Sequence, residues 1–170
     1  MKRRVSRAAL AALVLAAVSG CSVHYDGDDS VSHEIGADHF GVGGMLNLTE
    51  PVEGDAILAG GRVATASEVR VDLVAVGGEV SVGGAIGDDL YAAGGTVQFD
   101  AVVNGNARVA GGDISVGPAT IVAGGLSLTG GQVEFEGVAQ EYLQVSGGSV
   151  HLDGEVIGDA EVHANELRVG

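Results

Sequence analysis

Tryptophan is absent from this 170-residue sequence, and Phe and Tyr occur only three times each, which excludes a core organised around large aromatic anchors. There is a single cysteine, Cys21, so no disulfide can form within the chain. Two prolines are too few for a polyproline spacer. Lysine occurs once, at Lys2, and the chain carries a net charge of −15, which argues against a nucleic-acid binder. What remains is 30 glycines set among small and β-branched residues, with 46% hydrophobic content. That mixture is too apolar for a disordered chain and favours short strands separated by tight corners. The expected class is all-β and repetitive.

The first 20 residues differ from the rest. Lys2, Arg3, Arg4 and Arg7 form a basic start, followed by the apolar run Ala8 to Val18. Eleven residues are too few to cross a bilayer, but they suit the apolar region of an export signal. The run ends in Val18-Ser19-Gly20-Cys21, which resembles the lipobox of bacterial lipoproteins. The resemblance implies cleavage before Cys21 and lipidation of its sulfur, with residues 1–20 as signal peptide. Each buried acyl methylene contributes about 0.8 kcal/mol, so several chains on Cys21 would hold the protein to a membrane. Ser22 in the following position resembles lipoproteins sent to the outer membrane, so the expected location is its periplasmic face. Without the signal, Arg62, Arg70, Arg108 and Arg168 face 23 acidic residues, a balance of −19.

Doubled glycines begin at Gly43, Gly60, Gly77, Gly94, Gly111, Gly130 and Gly147, and five of the six intervals are 17 residues. The exception, 19, contains Pro118 and reads as a two-residue insertion at a corner. Seventeen beyond Gly147 stand Ala164 and Asn165, and asparagine is the next-best residue for the left-handed corners that the doublets are expected to make. Aligning on this mark exposes apolar columns. Three residues after it stand Leu46, Val63, Val80, Val97, Ile114, Val133, Val150 and Leu167. Five after it stand Leu48, Thr65, Val82, Phe99, Val116, Phe135, Leu152 and Val169, with mostly polar residues between the two columns. That alternation marks strands with one buried face. A second inward pair precedes the glycines (Leu73 with Ala75, Leu126 with Leu128, Leu143 with Val145), and a third column runs Val52, Val69, Ile86, Val103, Ala139 and Val156.

One such coil cannot bury its own apolar residues, whereas stacked coils bury a continuous column and pair each backbone edge with the next. The prediction is a single-stranded parallel β-helix over residues 41–170, of about 17 residues per coil and seven to eight coils. Strands spaced by about 4.8 Å would make it a rod some 35 to 40 Å long. Residues 21–40 are expected to be an acidic flexible tether.

The glycine-marked periodicity from Gly43 to Gly170 resembles the bactofilin family of polymer-forming bacterial cytoskeletal proteins. That resemblance implies a right-handed helix, self-association and a structural rather than catalytic role. Typical bactofilins are cytoplasmic, and the lipobox departs from that address.

Candidate chemistry is sparse. Asp55, Asp72 and Asp89 recur twelve residues after the mark, followed by Asn106 and later Asp159. Stacked carboxylates would repel by roughly 0.8 kcal/mol per neighbour in water, and could attract a divalent cation; alternatively each folds back on its own corner as an Asx-turn. His24, Asp26, Asp28, Asp29, His33, Glu34, Asp38 and His39 are zinc-type donors, but nothing fixes their geometry, and no metal or other cofactor is expected. Glu134 and His151 could meet on neighbouring coils as a solvated pair. An outward stripe of Ile57, Val74, Val76 and Tyr91 gives way to Arg108, Ser127, Gln144 and Glu161 in later coils, so it is either an interface or ordinary core under the tether.

The expected function is a non-enzymatic, membrane-anchored envelope scaffold, with possible partners being the membrane, through the lipid, and further copies of itself, not nucleic acid. The chain stops at Gly170 partway through the eighth coil, leaving a strand edge for stacking. A binding module using the acidic face for cations or envelope glycans is the alternative.

Overall fold

The structure, a computed structural model, describes residues 30–170; the expected signal peptide, Cys21, and residues 22–29 of the expected tether lie outside the described residues. Twelve strands and no helix make up that part: β1 (Val31–Ile35), β2 (Asp38–Leu48), β3 (Ala56–Thr65), β4 (Leu73–Ile86), β5 (Leu90–Val103), β6 (Ala107–Val116), β7 (Ile121–Val122), β8 (Gly125–Phe135), β9 (Val138–Ala139), β10 (Tyr142–Leu152), β11 (Glu155–Val156) and β12 (Asp159–Val169). The long strands stack in the order β2, β3, β4, β5, β6, β8, β10, β12, each parallel to the next. This is a parallel β-solenoid of about eight turns, about 17 residues apart.

Register follows the repeat. Val63 pairs with Val80 and Val80 with Val97, so each apolar column is a physical stack. The +3 and +5 columns lie on the long strands; the third runs through single bridges from Val52 to Val69 to Ile86, the ends of β4 and β5 from Ile86 to Val103, and then the short strands with Val122, Ala139 and Val156. Val122 fills the place that a fixed 17-residue frame leaves empty, because the insertion falls between Val116 and this strand. Its corner is tied to the preceding coil: Ala119 N–H donates to Asp100 Oδ1 at 3.0 Å, and the buried Thr120 hydroxyl donates to the Phe99 carbonyl at 2.9 Å.

The interior is a single apolar cluster from Leu46 to Val150. Burying a Val, Leu, Ile or Phe side chain contributes about 1.5–3 kcal/mol, and coil stacking repeats that gain along the axis. Thr65 is the polar member of its column, and its buried hydroxyl has no hydrogen-bond partner. At β12 the columns reach the surface, with Leu167 50% and Val169 71% exposed.

The doubled glycines are not left-handed corners. They lie inside continuous strands, and the described residues with positive φ are Gly36 (+71°) and Gly84 (+88°). Their requirement is close approach: a Cβ on either glycine of the doublets from Gly60 to Gly148 would sit 2.5–3.2 Å from a carbonyl oxygen of the preceding coil. The backbone bends there tightly enough to shift the side-chain phase, since the inward Leu73 and Ala75 are followed by the inward Val80 and Val82.

Within the expected tether, residues 31–35 and 38–40 are strand. β1 turns at Gly36-Ala37 and pairs antiparallel with the start of β2, from Val31 with Val42 to Ile35 with Asp38. The solenoid therefore begins before residue 41, and its first edge is covered by a strand running against the stack.

Candidate functional site

The aspartates twelve residues after the mark form the most ordered polar feature of the rod. The residue preceding each inward Ala56, Leu73 or Leu90 stands at the entry to a long strand, where its carboxylate can reach along the axis. Asp38 Oδ1 accepts from Asp55 N–H at 3.0 Å, Asp55 Oδ1 from Asp72 N–H at 3.1 Å, and Asp72 Oδ1 from Asp89 N–H at 2.9 Å. Asp89 Oδ1 accepts both the backbone N–H of Asn106 at 2.7 Å and its side-chain amide at 3.0 Å, and Asn106 Oδ1 closes the series on Gly125 N–H at 3.0 Å. These are clamps from one coil to the next, not Asx-turns folded onto their own corners. Asp38 was legible as a member: it stands 17 residues before Asp55.

The ladder has an electrostatic cost. Burial pushes the Asp72 carboxyl above its ordinary value, the Asp89 N–H bond opposes that, and the charges of Asp55, Asp88 and Asp89 raise it further. Ionised carboxylates accept hydrogen bonds strongly, which offsets the repulsion between neighbours. The series ends where Gly125 replaces the polar residue. A Cβ there would collide with the Tyr142 ring, so the aromatic face lies over the bare glycine of the preceding coil.

The predicted interface residues share one face. Ile57, Val74 and Tyr91 are register partners, and the column continues from Phe40 at one end to Arg108 at the other. Val76 stands between Ala59 and Ala93 in the adjacent outward column. Val74 is only 6% exposed although it points away from the core cluster, and Ile57, Val76 and Tyr91 are half-buried. Arg108 terminates the stripe. Its guanidinium lies 5.6 Å from the Tyr91 ring centroid and donates to the Tyr91 hydroxyl at 3.2 Å, while that hydroxyl donates to Asp89 Oδ2 at 3.3 Å. Burial first, and the Asp89 charge second, raise the Tyr91 pKa, with Arg108 opposing.

The other arginines are also used along the rod surface: Arg62 pairs with Glu79 at 2.7 Å, Arg70 with Glu53 at 2.6 Å, and Arg168 with Glu166 at 2.9 Å. Such exposed pairs are worth about 0–1 kcal/mol each. Glu134 and His151 are register partners as expected, both exposed. His33 and Glu34 lie on β1, and Asp38 and His39 on β2, while Cys21, His24, Asp26, Asp28 and Asp29 lie outside the described residues. Among the described residues no three His, Cys, Asp or Glu side chains converge as metal ligands.

No family model matches the chain, and no curated protein and no solved structure shows significant similarity to it.

Proposed function

We propose that the chain is a non-enzymatic scaffold of the bacterial cell envelope, anchored through lipid on Cys21 and associating with copies of itself, as the resemblance to bactofilins suggests. The observation that carries this reading is the continuous outward apolar column of Phe40, Ile57, Val74 and Tyr91 on the stacked rod, which gives way to Arg108 and then to polar residues in the later coils. A solenoid couples each coil to its neighbours, so a contact made on one face is held in place by the whole stack. The aspartate ladder supports a structural reading, since its Oδ1 atoms are engaged in joining coils. A stripe of this kind favours a protein contact over exposure to water.

The test uses the full chain carrying Cys21→Ser, which removes the lipid site. Sedimentation and electron microscopy should show assemblies, and Ile57→Asp with Val76→Asp should yield folded monomers by circular dichroism. A strict monomer at high concentration would sink the self-association reading. The anchor is checked separately: a labelled fatty acid should be incorporated into the wild-type chain in bacteria and lost in Cys21→Ser.

A further inference from the structure

The geometry points to the β1–β2 hairpin as the element through which two copies join, by exchanging β1. This deepens the self-association proposed above and rests on it.

Among the described residues, β1 is the one antiparallel partner in a stack whose other pairs are parallel. All five of its residues are exposed, with Val31 65% exposed, so it adds nothing to the core and is held chiefly by backbone pairing. An edge strand that buries no side chain is held by its backbone bonds alone, and its opening costs little compared with opening a coil. The partner side does not share that weakness: residues 38–42 of β2 are also paired with β3 over most of their length, so the accepting edge stays in place when β1 leaves.

The register permits exchange without new chemistry. The pairs are Val31 with Val42, Ser32 with Gly41, His33 with Phe40, Glu34 with His39 and Ile35 with Asp38, symmetric about the Gly36–Ala37 bond. If that turn straightens, residues 31–42 become one strand that pairs with the same strand of a second copy in the same register, related by a two-fold axis. Every pair of the closed hairpin is remade between chains, and residues 36 and 37 gain partners across the axis. Exchange of an identical element is a low-cost route to a dimer. The turn is the control point: Gly36 has φ +71°, which a β-branched residue adopts only with strain.

A lipid anchor on Cys21 favours this contact. The segment from Cys21 to Ser30 extends at most about 30 Å, so rods anchored in one membrane present their β1 ends to each other at raised effective concentration.

The experiment introduces Val31→Cys and Val42→Cys into the full chain carrying Cys21→Ser. Facing Cα atoms of an antiparallel pair lie about 4.5–5.5 Å apart, within disulfide range. Closed hairpins oxidise to a monomer with an internal bond, and exchanged hairpins to a covalent dimer. The expected result is a covalent dimer whose share rises with protein concentration before oxidation, and rises at least about tenfold at low concentration when Gly36→Val is added. Circular dichroism checks that the Gly36→Val chain is folded, and the version retaining Gly36 answers the question by itself. Internal bonds alone at high concentration, in a protein that still assembles by sedimentation, would overturn the exchange while leaving the scaffold reading intact. Internal bonds in a protein that stays monomeric would overturn both.

Discussion

The coils before the insertion and those after it share a backbone and differ in what joins one turn to the next. From β2 to β6, side-chain carboxylates and one amide tie successive strand entries together, and the last acceptor, Asn106, reaches Gly125 at the start of β8. Beyond it, Tyr142 packs on Gly125 and Asp159 is exposed, so main-chain pairing and apolar columns hold the later turns. The outward face changes one coil earlier, from the Phe40 to Tyr91 column to Arg108 on β6, and continues polar through Ser127, Gln144 and Glu161. The main chain thus supplies a uniform stack, and local side-chain choice makes one half cross-linked and apolar outside, the other open and polar.

What both halves share is tested by the largest effect. Gly94→Val would push a Cβ to 2.9 Å from the Gly77 carbonyl and 3.1 Å from that of Thr96, and is expected to cost about 3 kcal/mol or more in denaturant unfolding. Gly44→Val, where a Cβ meets nothing within 4 Å, is expected to change stability by less than about 0.5 kcal/mol. Equal losses at the two sites would mean that glycine is needed for flexibility and not for clearance.

The difference between the halves is tested next. Asp72→Ala leaves the Asp89 N–H without its acceptor and is expected to cost about 1–2 kcal/mol. Asp159→Ala, in the same column beyond the ladder, should be near neutral in the same measurement. Comparable costs would erase the distinction between the clamped and unclamped turns.

The smallest effect concerns charge within the ladder. Asp72 holds its proton to higher pH in the folded state than an ordinary aspartate at 3.8, so the native state binds protons that the unfolded chain releases. Stability from this group is therefore gained as pH falls through the folded pKa, is complete below the unfolded one, and is lost again as pH rises. Melting temperature should climb, as pH falls toward the ordinary aspartate value of 3.8, by more in the wild type than in Asp72→Asn, which keeps an acceptor without a titrating charge. Asn106, already in the ladder, shows that an asparagine fits there. An identical pH profile in both proteins would remove Asp72 from the account.

Architecture was legible from sequence because period and burial coincide. Residues such as Val80, Val97 and Phe99 recur at the same offset from a glycine pair, and each became a register partner of its neighbour. The role of those glycines was not legible, because a doublet permits a left-handed bend and a close backbone contact equally well, and only the positions of neighbouring carbonyls separate the two. Val122 was hidden by an insertion that moved it out of frame. β1 was invisible for another reason: Val31 to Ile35 carry two aliphatic residues among polar ones, and their strand form comes from an edge supplied by β2, not from their own pattern. Among the candidate residues, the spacing of Asp55, Asp72 and Asp89 predicted that they would align, but one column of letters does not say whether a carboxylate turns back, reaches along the axis or waits for a cation.

The turn between Val116 and Ile121 is two residues longer than its counterparts, yet β6 and β8 still pair in register, Ala107 with Leu126 through Val116 with Phe135. The extra length is absorbed at a corner anchored by Asp100 and Thr120, leaving the neighbouring coils undisturbed. A solenoid that accommodates additional chain at one corner has a ready place to display a peptide epitope or a small inserted domain, held at a fixed height along a rigid stalk.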